Sequence, residues 1–525
     1  MIPTRALMRL TALLLGSAFV GCHSVDGAAE PIEQATALYP GIPSPANAAH
    51  AATVPTTSAI RTVAHEDLAE PEPAGASQPT ASPQPTGAPA ALAEASTIDL
   101  GVALRLAGVG NPTINLAREV VSEALAGQLS ARSLLLPSVN IGGNLRVHTG
   151  ALLSSGGIVR TPDLQSLFLG AGAGVAGTGT PSVPGVRLFA HLGDAVYEPL
   201  AARQRVQVRQ GEAQAVQNTV LLDVAAAYLD LIGAEARLDI LRRGETDLME
   251  LTRLTAAQAK AGQGRDADAN RAVANLELLR REISQCEEEL AVASARLSGL
   301  LSLDPSVGLR SPGGAVLPFR LLPETTETET LVGEALRSRP EVFARSAAIA
   351  EAQTRVRQEK VRPLLPTVIA GYSYGGFGGG SNLVSTDFSS LKSRNDFDVA
   401  AVWTFQNLGI GNAARVRRAN AGTGAAIASY DAIANQIARE VAEAVAGARA
   451  AATQMATAEG ALATAEDGFA LEMSRIKQAG PVRPIEVLDS FRQLLDTRQQ
   501  LLRAVIAFNI AQFRLFVAVG RTPTE

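Results

Sequence analysis

Residues able to carry chemistry are few in this 525-residue chain, and their spacing assembles no catalytic set. The five histidines are His23, His50, His65, His148 and His191, and none has the spacing of a zinc ligand. The two cysteines, Cys22 and Cys286, sit in unlike surroundings, so no disulfide framework is supported. Cys286 falls on an apolar seven-residue seam and reads as a small core residue. "GAGVAG" (Gly172–Gly177) fits G-x-G-x-x-G, but Pro181 and Pro184 follow it in place of a helix. It therefore reads as a surface loop rather than a dinucleotide site, and "GGFGGG" (Gly375–Gly380) likewise reads as a loop. Two pairs of carboxylates stand close together: Asp266 with Asp268 in "GRDADANRA", and Glu486 with Asp489 in "RPIEVLDS". Each pair falls in the first turns of a predicted helix, where acids complement the helix dipole. No Ser/His/Asp or Cys/His combination can be built, so the chain is not expected to be an enzyme, and no cofactor or metal is expected. The net charge is −5 and there is no long basic run, so nucleic acid is not an expected partner.

The elements that surround these residues are more informative. Aromatics make up only 4% of the chain while alanine and leucine carry its apolar share, which favours long helices with small interfaces. Arg5 and Arg9 precede the apolar run "LTALLLGSAFVGC", which has signal-peptide flanks and is too short for a permanent span. Gly21-Cys22 resembles a bacterial lipobox, with Phe19 where leucine is usual. The expectation is a signal peptide over 1–21 and lipidation of Cys22, and His23 in place of aspartate implies no inner-membrane retention. Residues 31–89 hold 11 of the 28 prolines among alanine, serine, threonine and glycine. Residues 22–95 thus read as a lipidated N-terminus and a Pro/Ala-rich tether unable to bury a core.

From residue 96 onward the chain repeats itself. "GNPTINLAREVVSEALAGQLSARSLLLPSV" (Gly110–Val139) is echoed by "SRPEVFARSAAIAEAQTRVRQEKVRPLLPTV" (Ser338–Val368). Both open on a proline suited to a first helical turn and close before a second proline. After Pro137 and Pro366 the apolar period switches from helical to two. The alternation predicts strands over 139–148, 186–194, 368–375 and 397–405, each pair joined by a Gly/Ser-rich loop, the first spanning about 148–185. One apolar and one polar face fits a transmembrane barrel, and a soluble half-buried sheet gives the same pattern. Very long helical stretches follow, over 195–261 and 412–478. The helices that return carry heptads: Leu276, Ile283, Leu290 and Leu297 in the first, and Leu494, Leu501, Phe508 and Leu515 in the second. Such seams drive antiparallel supercoiling.

Helix, strand–loop–strand, very long helix, tight turn and returning helix, all done twice, resembles the TolC-like outer-membrane factor family. The resemblance covers about residues 96–521 and rests on the two "LLP[ST]V" transitions, on "VWTFQNLGIGNAARVRRA", and on the turn phrases "AGQGRDADANRA" and "AGPVRPIEVLDS". It implies an α+β membrane protein: a duplicated unit forming a trimeric 12-stranded transmembrane β-barrel continued by a long periplasmic α-helical barrel. The expected repeats are 96–310 and 338–521, with an equatorial segment over 311–337. The implied function is the exit duct of a tripartite efflux pump or a type I secretion system. The implied partners are two further copies in a homotrimer, outer-membrane lipid, a periplasmic adaptor protein and an inner-membrane pump of RND or ABC type. The expected location is the bacterial outer membrane, lipid-anchored, with helices reaching into the periplasm. The resemblance makes Glu486 and Asp489 an acidic pore constriction, and Gly262, Gly264, Gly480 and Arg483 adaptor-contact tips. A periplasmic coiled-coil scaffold lipoprotein with a soluble strand cap is the alternative.

Overall fold

The computed structural model describes residues 96–523 apart from 155, 174–182, 263, 324–325, 384 and 478–483. Cys22, Gly480 and Arg483 lie outside the described residues.

Its element order is that of a doubled unit. Strand β1 (Ser96–Thr97) and helices α1 (Leu100–Gly110) and α2 (Pro112–Arg132) lead into β2 (Ser138–Val139) and β3 (Ile141–His148). Then come β4 (Leu152–Leu153), β5 (Val159–Arg160), β6 (Leu164–Ala173), β7 (Val183–Pro184) and β8 (Val186–His191). Helices α3 (Leu192–Lys260) and α4 (Asp266–Leu300) complete the first half. Strand β9 (Leu309–Arg310) precedes α5 (Thr328–Ser338), α6 (Pro340–Val361), β10 (Thr367–Ser381), β11 (Ser385–Val402), α7 (Ile410–Lys477) and α8 (Pro484–Ala518). At 1.5 Å per residue, the 69 residues of α3 and 68 of α7 each extend about 100 Å. The apolar seams close these helices into coiled pairs. Leu279, Cys286, Leu290 and Leu297 are buried between α3 and α4, and Leu494, Phe508 and Leu515 lie on the buried side of α8. Helix α8 is long and apolar enough to cross a membrane by composition, but more than half of its most apolar window is buried within the fold.

Strand pairing turns seven of the eleven segments into a few continuous ribs, while β1 with β9 and β4 with β5 form separate two-stranded sheets. β6 and β8 both run antiparallel to β10, Tyr374–Ser381 facing β6 and Thr367–Tyr372 facing β8, so the two pieces form one rib. β2 and β3 form a second rib on its far side, and β11 pairs along β10. Asn140, between β2 and β3, holds the broken rib together: its N–H donates to the Gly185 carbonyl at 2.6 Å and its carbonyl accepts from the Gly172 N–H at 2.9 Å. Its side-chain amide donates to the Pro184 carbonyl at 2.8 Å. Glycines allow the crowding there. A Cβ on Gly185 would stand 2.3 Å from the Ala171 carbonyl oxygen, and Gly172 sits at φ +118°.

The strands differ from expectation in extent. The predicted loop 148–185 contains β4–β7, because the apolar run Leu167-Phe168-Leu169 and the following glycines hide the alternation of β6. "GGFGGG" is strand, not loop: a Cβ on Gly375 or Gly379 would lie 2.4 Å from a carbonyl oxygen of β6, so glycine is what the close pairing admits. Residues 192–194 open α3 rather than ending a strand, with His191 as the cap that accepts the Gly193 N–H at 3.1 Å. Trp403 and Phe405 lie past the end of β11, and the Trp403 indole donates to the Leu364 carbonyl at 3.3 Å.

Where α3 leaves the sheet and α6 enters it, ion pairs clamp the two helices. Gln358 donates to Asp194 at 2.7 Å, Arg362 pairs with Asp194, Arg355 with Glu198, and Arg205 with Glu351 at 2.8 Å. The Arg355 hydrogen bond holds the Glu198 carboxyl below its usual value of 4.5, outweighing burial, which pushes it up. A depressed folded value means that the stabilisation is full above pH 4.5 and lost as pH falls through the lowered value. Glu198→Gln should melt below wild type at neutral pH, and in paired melting curves that gap should narrow once the pH drops below 4.5.

Candidate functional site

The sheet has two chemically distinct faces. On one, Ile141, Leu145, Val147, Tyr372, Tyr374, Phe397 and Val399 are exposed, Ile141 at 85% and Phe397 at 72%. Register places Tyr372 against Phe397 and Ala370 against Val399 on that face. The other face carries Asn144, Arg146, His148, Arg187, Ser373, Arg394, Asp396 and Asp398. Gly371 faces both Asp398 and Arg187, and Ser373 faces Asp396. Arg394 donates to Asp396 at 2.7 Å and lies over the Phe377 ring at 5.1 Å. Charge on this face comes mostly from β3 and β11, with Arg187 on β8, while Phe168, Phe189 and Phe377 stand among the central ribs.

At the far end, α3 turns into α4. The Gly262 N–H donates to the Ala259 carbonyl at 3.0 Å with Gly262 at φ +74°, a backbone shape that favours glycine. The Gly264 N–H bonds the Gln258 carbonyl at 3.1 Å. Asp266 and Asp268 then open α4, Asp268 lying 3.6 Å from Arg271. At the start of α8, Glu486 and Asp489 are both exposed, three residues apart on one face, while Val487, Leu488 and Phe491 bury the other. Neither acid has an ion-pair partner among the described residues. No metal-holding cluster occurs among the described residues.

Between this tip and the sheet, Arg237 of α3 ties three helices together. It donates to Glu282 of α4 and to Gln499 of α8, each at 3.1 Å, and also pairs with Glu289. Burial lowers the guanidinium's basicity, but Glu282 and Glu289 reverse this and raise it, so the charge persists. The heptad seam by itself does not reveal this cluster. Its signal was present as Glu282 and Glu289, seven residues apart, each directly preceding a seam position, Ile283 and Leu290.

The architecture is thus two long coiled helix pairs hung from one two-faced sheet. The pattern of the family described as "Outer membrane efflux protein" matches residues 331–521. A membrane protein from Pseudomonas aeruginosa is similar at a TM-score of 0.66 and 20% identity, covering 82% of this chain and 92% of that one. CusC, in a study of transmembrane channel formation, matches at 0.64 and 20% identity, covering 81% and 93%. The CmeC outer membrane channel of Campylobacter jejuni matches at 0.64 and 15% identity, covering 80% and 85%. No curated protein matches in sequence. Residues 331–521 carry the outer membrane efflux protein pattern, and the chain as a whole shares the fold of these channel structures.

Arg237→Ala should strand two carboxylates between helices and cost about 1.5–3 kcal/mol. Thermal unfolding should drop accordingly, and limited proteolysis should quicken in α3–α4 rather than in the sheet.

Proposed function

We propose that three copies of this chain form an outer-membrane channel, the exit duct of a tripartite efflux pump or a type I secretion system. The observation that carries this reading is the sheet: one exposed apolar face, one charged face, and two outer edges without a partner strand among the described residues. Four ribs cannot close in lipid, where every open backbone group is costly, and three copies supply 12. CusC and CmeC, as proteins of known channel structure, lend support by fold alone.

In this reading the signal peptide 1–21 is removed, Cys22 is lipidated, and residues 22–95 tether the anchor to the wall. The repeats 96–310 and 338–521 each supply two ribs, with 311–337 wrapping the helices between them. The helical barrel reaches into the periplasm, where the tips at Gly262, Gly264, Gly480 and Arg483 meet an adaptor protein that connects to an inner-membrane pump. Glu486 and Asp489 face the axis, where three copies give two stacked rings of carboxylates. Crowded carboxylates favour cations in transit and bind divalent ions.

Two measurements test the proposal. Val399→Arg should impair insertion by about 2–4 kcal/mol near the midplane, whereas Ala400→Arg, on the charged face, should be tolerated. Equal tolerance would place the sheet outside a membrane and favour the scaffold alternative. In planar bilayers, Glu486→Ala with Asp489→Ala should raise conductance and weaken cation selectivity and divalent block. If the two acids only complement the helix dipole, selectivity stays as in wild type and stability alone falls, by about 0.3–1 kcal/mol per acid.

A further inference from the structure

We propose that Arg417 of one copy pairs with Glu123 of the next across the seams that close the channel wall. The pairing rests on the three-copy reading above and names the contact that sets its register. Within the chain, α2 packs on α3, α3 on α6, and α6 on α7. The ribs run in the same order, from β2–β3 through β6/β8 and β10 to β11. The protomer is therefore a wall with two free edges, one made by α2 and β3 and the other by α7 and β11. Pairing the open strand edges of successive copies sets α2 of one copy beside α7 of another.

The free helix faces are chemically matched. On α2 a seven-residue stripe, Ile114, Ala117, Val121, Ala124, Gln128 and Ala131, turns away from solvent on the side that meets α3. Opposite it stand Glu119, Glu123, Ala126 and Ser130, all exposed. On α7 the shielded stripe is Val416, Ala419, Thr423, Ala426 and Tyr430, and the opposite side presents Ala414, Arg417, Ala421 and Gly424, all exposed. One free face is thus acidic and the other basic, each set among small residues that let helix axes approach. Neither Glu119, Glu123 nor Arg417 has an ion-pair partner among the described residues.

The levels agree. Glu123 lies nine residues before the end of α2 (132 − 123), and Arg417 seven residues after the start of α7 (417 − 410). At 1.5 Å per residue they stand about 13 and 10 Å below the sheet, a difference that an arginine side chain spans. The two helices run in opposite directions, so the match is confined to this level.

The test uses the full-length protein in mild detergent, with trimer measured on native gels during heating. Arg417→Glu and Glu123→Arg should each lower the trimer's association constant at a fixed temperature by about tenfold, because each change removes an exposed pair from all three seams. The double reversal should restore it. Cysteines in place of Glu123 and Arg417 should cross-link neighbouring chains on oxidation, whereas Glu123→Cys with Arg415→Cys, which sits on the side facing α6, should not. A trimeric wild type with neither rescue nor cross-link overturns the pairing alone. A wild type that is never trimeric overturns the channel reading and the pairing with it.

Discussion

A strand backbone N–H or C=O left without a partner is costly, and the sheet from β2 to β11 is organised around pairing these groups. Each rib pairs on at least one side, and where the central rib breaks between Gly172 and Gly185 Asn140 bonds to both ends. The shared requirement also explains the glycines. Strands β6 and β10 approach so closely that side chains at Gly170, Gly375 and Gly379 would collide with carbonyl oxygens. These glycines let the central ribs pack tightly, and charge on the polar face sits on β3, β11 and Arg187 of β8.

Below the sheet the problem changes from hydrogen bonding to length. A helix of 68 residues has few ways to stay straight in water, and the coiled pairs supply them through a leucine-rich seam flanked by ion pairs. The pairs are arranged by level. Asp194, Glu198 and Arg205 lock α3 to α6 next to the sheet. Arg339 and Glu440 join the base of α6 to α7. Arg237 gathers α3, α4 and α8 nearer the tip. Burial tends to raise the Glu440 carboxyl, yet Arg339 and Gln436 hold it below its ordinary value, so the link stays charged at neutral pH. Each helix junction thereby depends on a charge that a hydrophobic seam alone could not orient.

How much of this was legible depended on which force dominated locally. The helix seams were readable because burial follows a strict seven-residue period: Leu276, Ile283, Leu290 and Leu297 all turn inward as the pattern requires. Strand β11 was readable at Phe397 and Val399, where apolar and charged residues alternate. Strand β6 was not, because its glycines answer to the backbone of β10, far away in sequence, rather than to any local period. The same holds for "GGFGGG", whose loop-like composition is a consequence of close strand pairing. At the tip, the exposed pair Glu486 and Asp489 was visible as a spacing of three residues at the start of a helix. Ion clusters such as that of Arg237 escaped because their members come from three helices, joined only by the fold.

Asn140 carries a consequence of its own. Because it fastens Gly172 to Gly185 directly, the number of residues between those two glycines is uncoupled from the side-chain alternation on either side. In an unbroken strand, adding one residue turns every later side chain to the opposite face. Here the downstream piece, β8, takes its phase from Asn140 and β10 instead of from the length of chain preceding it. The sheet therefore contains a splice at which the length of chain can change while the residues on its two faces keep their places.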